Sequence, residues 1–255
     1  MDSSSSTNYL VTGANRGIGY GLLRILLSRP KSICIAAVRD TVAAKEALAS
    51  LPVATDSKLI VVKIDSNVAT DARDAVEVLK ETHEIKHLDV IVANAAIGDD
   101  YGSLVDIKLE TIQKNIETNV YGSPITLFQA VLPLLSVSSS PKFCLLGSVV
   151  GSIGGMEKYP YPLPALGLSK AMAHYFVRRI NLEHGGGNGK VVAWCAYPGF
   201  VQTDTGNSGA RRFGMKEAPD TIEAAAGFVT KTIDDASMEN TGGRFPSLYG
   251  GEIEW

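Results

Sequence analysis

Short apolar runs alternate with stretches of helical spacing along most of the chain. Apolar runs at residues 9–12, 32–38, 58–64, 88–93, 142–146 and 190–196 predict strands. Stretches at 20–28, 41–50, 71–84, 109–135 and 165–183 carry apolar positions at helical spacing. The long one holds Asn119 and a proline, Pro124. Strands that are apolar throughout, rather than on alternate positions, belong to a parallel sheet covered on both faces. The fold class is therefore α/β, a doubly wound parallel sheet flanked by helices. No proline-rich or charged linker divides the chain and no internal repeat is visible, so residues 1–255 are expected to form a single domain, with 1–7 a disordered tail. The glycine cluster at 185–189 reads as a surface loop between a helix and a strand.

Composition adds mainly exclusions. At 255 residues the chain can bury one large core. A net charge of −3 gives no electrostatic reason to expect nucleic acid or an anionic membrane as partner. Cys34, Cys144 and Cys195 sit in apolar stretches without metal-ligand spacing, so no metal is expected and buried free thiols are. The serine-rich start lacks the charged and apolar regions of a signal peptide, and no apolar run is long enough to span a membrane. A reducing, cytoplasmic setting is the default expectation.

Chemistry enters with the turn after the first strand. Gly13-Ala14-Asn15-Arg16-Gly17-Ile18-Gly19 lies where a strand gives way to a helix. Glycines there let backbone N–H groups approach a pyrophosphate, and the helix N-terminus favours its charge. The spacing Thr12-Gly13-x3-Gly17-x-Gly19 resembles that of the short-chain dehydrogenase/reductase superfamily, and the resemblance runs from Leu10 to about Thr205. It implies a Rossmann fold and a nicotinamide dinucleotide held by Gly13, Asn15, Arg16, Gly17, Ile18 and Gly19. It further implies Asp65 at the adenine ring, Asn94 and Ala95 in the turn after strand four, and the segment Pro198-Gly199-x-Val201-x-Thr203 over the nicotinamide. The choice of nucleotide is legible in charge. NAD sites place a carboxylate after strand two, whereas a 2′-phosphate needs a cation there. This chain has Arg39, with Arg16 in the glycine turn, and guanidinium groups bind phosphate in bidentate fashion. The expected cofactor is NADP(H).

By the same resemblance, Ser148 matches the catalytic serine, Lys170 the catalytic lysine and Asn119 the asparagine that holds a water in a proton relay. The tyrosine that hands a proton to the carbonyl oxygen stands four residues before the lysine in that family. Here that position is Leu166. Positioned general acids contribute about 10²–10⁴-fold, so the substitution bears on the chemistry. The inserted run 154–162 contains Tyr159 and Tyr161, either of which is a candidate displaced acid. Prolines on either side argue instead for fixed aromatic lining. Pro198 to Gly206 and Gly242-Gly243-Arg244-Phe245 resemble the fungal branch similar to norsolorinic acid ketoreductase, which implies secondary metabolism. Three readings follow. One is an NADPH-dependent reductase of a bulky, apolar, polyketide- or alkaloid-like small molecule, including C=N or iminium reduction, which needs no proton in the same step. The second is a non-redox cyclase or isomerase, and the third an inactive NADP-binding protein. The resemblance also implies a homodimer or homotetramer, built on the helix around Asn119 and the helix carrying Lys170.

Overall fold

A computed structural model describes residues 6–98, 101–186 and 190–255. Six strands, β1 (Thr7–Thr12), β2 (Ser32–Val38), β3 (Lys58–Lys63), β4 (Val90–Ala93), β5 (Lys142–Leu146) and β6 (Val192–Ala196), form one sheet in the order β3-β2-β1-β4-β5-β6. Every pairing is parallel. Two crossovers run outward from β1 to one edge, and the return to β4 starts the other half. The carboxyl ends of β1 and β4 therefore flank the crevice where open α/β sheets bind ligands.

Continuous apolar strands bury successive side chains on opposite faces. Leu10, Ile35, Ile91 and Phe143 lie in one core layer, and Val11, Cys34, Val92 and Trp194 in the other. Helices α3 (Asp71–Glu81), α5 (Leu127–Leu135) and α6 (Pro164–His184) cover the first face through residues such as Leu79, Val131 and Val177. Helices α1 (Gly17–Leu27), α2 (Thr41–Leu48) and α8 (Ile222–Asp234) cover the second through Leu22, Leu48 and Val229. Burying each such leucine or valine fully stabilises the fold by about 1.5–3 kcal/mol relative to leaving it exposed. The thiols of Cys34, Cys144 and Cys195 are free and buried within these layers. Among the described residues no helix is long and apolar enough to cross a membrane.

The structure corrects the expected elements in three places. The stretch expected as one helix over 109–135 is divided. Helix α4 (Leu109–Ile116) leads into π-helical backbone over Glu117–Thr126, and Ser123 leaves helical dihedrals (φ −147°, ψ 115°) before a cis peptide to Pro124. Proline lacks the N–H that the helix needs and restricts the residue before it, so the break falls there. β1 begins at Thr7, inside the expected tail, because Thr7 pairs with Ser32. Two helices beyond the sheet, α7 (Asp204–Arg212) and α8, were not expected; each is capped by a threonine, Thr203 and Thr221. Of the glycine loop, Gly185 and Gly186 follow α6, and residues 187–189 lie outside the described residues.

Candidate active site

The glycine turn closes over the carboxyl end of β1, tied to β4 by one threonine and one asparagine. Thr12 Oγ1 accepts from the backbone N–H groups of Asn94 and Ala95 (both 3.0 Å). Asn94 Nδ2 donates back to the carbonyls of Thr12 (2.7 Å) and Gly13 (3.2 Å). Gly17 adopts φ +55° at the first residue of α1, and at Gly19 a Cβ would stand 2.5 Å from the Gly13 carbonyl oxygen. The turn can lie this flat on the helix only without side chains there.

The N-terminus of α1 is left open. Its N-cap position, Arg16, provides no side-chain acceptor, and its first turn holds no acidic residue. At α2, by contrast, Asp40 Oδ1 accepts from the N–H groups of Val42 (3.0 Å) and Ala43 (3.1 Å). A helix start without an internal acceptor presents N–H groups and the positive end of the helix dipole to an outside anion. Asp40 is engaged as a cap, and its neighbour Arg39 at the end of β2 makes no ion pair among the described residues. Arg16 reaches across the mouth of the cleft to an ion pair with Asp204 at the start of α7.

Most of the residues expected to hold cofactor line this one cleft: Gly13, Asn15, Arg16, Gly17, Ile18, Arg39, Asp65, Asn94, Ala95, Lys170 and Thr203. Asp65 is partly engaged, its Oδ1 accepting from the backbone N–H (2.9 Å) and the side-chain amide (3.2 Å) of Asn67. Thr203 Oγ1 accepts from Gly206 N–H (3.0 Å) as the cap of α7. Gly199 and Val201 line an adjoining pocket instead. Gly19 and Pro198 lie behind the walls, Gly19 because it packs against the turn and Pro198 because it is buried.

That adjoining pocket is apolar and ringed by aromatic side chains. Tyr161 and Tyr101 each meet Phe213 edge-on (centroids 5.8 and 5.9 Å apart), with Phe200 and Tyr197 completing the wall. Ser148 and Leu166 belong to both cavities and mark their junction. Leu166 packs on the exit of β4, where a Cβ added at Gly98 would come within 2.7 Å of its Cδ2. Lys170, one turn along α6, is buried and donates to the Leu146 carbonyl (2.7 Å); burial pulls its pKa down to about 8 against the smaller opposing influence of Cys195.

Two expected catalytic groups, Asn119 and Tyr159, line neither cavity. Asn119 is buried behind the cleft, its Oδ1 accepting from Ile97 N–H (2.8 Å) and its Nδ2 donating to Ile97 O (2.9 Å) and Ser169 Oγ (3.0 Å). Its amide is fully occupied in joining the β4 exit to α6. Tyr159 packs against the core, with the Lys158 ammonium 5.3 Å from its ring centroid, and lines neither cavity. Of the two loop tyrosines only Tyr161 reaches the aromatic pocket.

The sequence profile described as short chain dehydrogenase matches residues 7–212, which span the glycine turn, Ser148 and Lys170. The chain belongs to this family. Within the short chain dehydrogenases it is 43% identical over 245 residues to the norsolorinic acid ketoreductase of Dothistroma septosporum, covering 95% of this chain and 90% of that one. It is 41% identical over 252 residues to the norsolorinic acid ketoreductase of Aspergillus parasiticus, covering 98% and 91%. Among solved structures, the NADPH-bound carbonyl reductase from chicken fatty liver superposes with a TM-score of 0.82 at 25% identity, covering 98% of this chain and 100% of that one. The Sniffer carbonyl reductase of D. melanogaster gives 0.83 at 23% identity, with coverage of 98% and 100%, a likeness of fold. This short chain dehydrogenase is thus an oxidoreductase of the short-chain type.

Two further site residues of this short chain dehydrogenase, His174 and Asp220, were not singled out from the sequence. His174 lies buried beneath Ser148, and its Nε2 accepts from the Ser148 N–H (3.3 Å). Burial, reinforced by neighbouring Lys170, drives its pKa down to about 3, so the ring is neutral. Asp220 accepts from the Phe200 N–H (2.7 Å) and from the Tyr249 hydroxyl, pinning the wall of the aromatic pocket. The helical spacing of His174 from Lys170 could have revealed the first; nothing local announces Asp220.

Proposed function

We propose that the chain is an NADPH-dependent reductase of a carbonyl group on a bulky, apolar, aromatic small molecule of secondary metabolism. One observation carries the reading: a polar cleft headed by an uncapped helix start opens, at Ser148 and Leu166, into a pocket walled by aromatic rings. The residues present fit a dinucleotide. The open N–H groups of α1 accept a pyrophosphate, and Arg39 with Arg16 supplies the cation that a 2′-phosphate requires. When bound, the reduced dinucleotide supplies a hydride. The protein's part is placement. Tyr101, Tyr161 and Phe213 offer ring faces and edges to a flat aromatic substrate. Ser148 Oγ, at the junction, donates a hydrogen bond to a carbonyl oxygen. Lys170 holds positive charge under the cleft floor at neutral pH, its pKa being about 8.

Leu166 favours a second substrate class for the same site. Leucine has no proton to give, so a cyclic iminium, which takes hydride without a proton in the same step, suits this wall. We extend the reading to a homo-oligomer, since Leu168, Met172, Tyr175 and Leu182 are exposed at helical spacing along the outer side of α6.

The test is reductant consumption, followed by the absorbance of the reduced nicotinamide, with acetonaphthone and with a dihydroisoquinolinium. Turnover with NADPH is expected to exceed that with NADH by about tenfold or more, the value of one charge-assisted phosphate contact. No consumption with either substrate would sink the reductase reading, and a rearranged product of unchanged redox state would replace it with the cyclase or isomerase. A Leu166→Tyr variant, which places a phenol beside Lys170, is expected to speed ketone reduction and leave iminium reduction unchanged.

A further inference from the structure

Tyr197 is placed to supply the proton that Leu166 cannot. It follows directly on β6, and its backbone is fixed on both sides: its N–H donates to Pro246 O (2.9 Å) and its carbonyl accepts from Leu248 N–H (3.0 Å). Strand alternation sets its direction. Trp194 and Ala196 face one core layer, while Ala193 and Cys195 face the layer beneath α6, and Tyr197 packs with the latter. Its ring is therefore on the side of the sheet from which α6 presents Leu166 and Lys170.

Register brings it beside Ser148. Leu146 of β5 pairs with Ala196 of β6; Tyr197 is the next residue after that pair and Ser148 the second, beyond Gly147, so both leave the carboxyl ends of adjacent strands. Both line the aromatic pocket, with Leu166. The ring is braced edge-on by Tyr249 (6.0 Å, 74°). The two phenols differ in one respect. The Tyr249 hydroxyl donates to Asp220, whereas the Tyr197 hydroxyl has no hydrogen-bond partner among the described residues. Burial, and the surrounding Tyr249, Tyr161, Asp220 and Tyr159, all hold its proton on more firmly than in a free phenol. Tyr161, the other phenol in the wall, is 45% exposed and sits on a proline-kinked loop. A donor fixed on the sheet is better preorganised than one on a loop.

We propose that Tyr197 is a catalytic residue that donates its phenolic proton to the substrate carbonyl oxygen, an inference that rests on the reductase reading. In the step, the carbonyl carbon receives hydride from the reduced nicotinamide dinucleotide and the π electron pair of the C=O bond moves to oxygen. That oxygen takes the proton of Tyr197, and the phenolate is reprotonated from water. Ser148 donates to the same oxygen from the neighbouring strand.

The experiment is a Tyr197→Phe variant, which keeps the ring and removes the hydroxyl, beside Tyr161→Phe. With acetonaphthone, Tyr197→Phe is expected to lower kcat about 100-fold or more with KM within about threefold, the effect of losing a positioned acid. Reduction of dihydroisoquinolinium, which needs no proton, is expected to stay within about threefold of the parent. An unchanged ketone rate, or an equal fall with both substrates, would overturn the proposal; a fall confined to Tyr161→Phe would transfer the role to that residue. A second measurement separates this from failure of the reductase reading. Calorimetric titration of the cofactor-free protein with acetonaphthone and with ethylnaphthalene compares the same ring with and without the acceptor oxygen. The parent is expected to prefer the ketone by about tenfold, one hydrogen bond, and Tyr197→Phe to erase the preference. If no reductant is consumed yet that preference exists and vanishes, Tyr197 stands as the carbonyl donor and the redox reading alone falls. If the parent shows no preference, Tyr197 falls as well.

Discussion

The two halves of the site are built in opposite ways. The nucleotide cleft is made largely of backbone: an uncapped helix start, a glycine turn lying on α1, and one Thr–Asn clasp between β1 and β4. The aromatic pocket is made of side chains that arrive from five separate segments, among them Tyr101, Tyr161, Tyr197 and Phe213. A backbone site tolerates change wherever only main-chain atoms are needed and fails at once where a Cβ intrudes. A side-chain site should respond by degrees, ring by ring.

The largest effect expected is therefore at Gly19. A Gly19→Val variant drives a side chain into the Gly13 carbonyl, 2.5 Å from its Cβ, and the Ala14 Cα at 2.9 Å. Thermal unfolding should report a loss of about 3 kcal/mol, and NADPH titration no binding. The control has the opposite sign: Gly227 in α8 has open space around it, so Gly227→Ala should stabilise by about 0.5–1 kcal/mol. Next comes Arg39→Glu, which replaces the cation at the end of β2 with the carboxylate that suits a ribose diol. The ratio of NADPH to NADH affinity should shift by about 100-fold, read by fluorescence titration, with the fold unchanged. If the ratio does not move, the cleft does not read the 2′-phosphate through this residue.

In the pocket, Phe213→Ala removes the ring on which Tyr101 and Tyr161 both rest. A rise in KM for aromatic substrate of about 3–10-fold is expected, with nucleotide affinity unaltered. Equal losses at both halves would show that they are one structure and erase the contrast. The smallest effect tests their seam. His174, under Ser148, has its pKa lowered from 6.5 to about 3, so below pH 6.5 the unfolded chain binds a proton that the folded chain refuses. Stability is fully present above that value and falls as pH drops toward about 3. Between roughly pH 7 and pH 5.5 the loss should be about 1 kcal/mol in denaturant titrations, and His174→Gln should flatten it.

The same contrast explains what the sequence disclosed. The parallel sheet follows from apolar runs alternating with helices, though its strand order does not, and the glycine turn is legible because backbone demands are written in residue type. Arg39 was legible as a cation at a strand end that lines the cleft, and its use by a 2′-phosphate is what Arg39→Glu tests. Asn119 and Tyr159 line neither cavity, and one reason covers both: a polar or aromatic residue at a familiar spacing can serve the core as well as the site. Asn119 is taken up by Ile97 and Ser169, and Tyr159 by packing. Tyr101, Phe213 and Asp220 went unseen because nothing local links them; only closure of α7 and the last turns over β6 brings them to Ser148. Helix α8 was legible in its own periodicity, with Thr221 as cap, but lies beyond the stretch that the motifs illuminate.

The ion pair between Arg16 and Asp204 has a consequence in time rather than in affinity. Its side chains are 70% and 79% exposed, and pairs in that setting contribute about 0–1 kcal/mol. An arriving phosphate can take Arg16 from Asp204 at almost no thermodynamic penalty, and a departing one can hand it back. A pair so readily exchanged is expected to bear on how fast a nucleotide enters and leaves rather than on how tightly it is held. Nucleotide exchange should quicken with added salt at first, as screening loosens the pair, before attraction between the arginines and the phosphates is itself screened. An optimum in ionic strength for the rate of exchange, absent from Asp204→Asn, is what a two-residue electrostatic gate would leave behind.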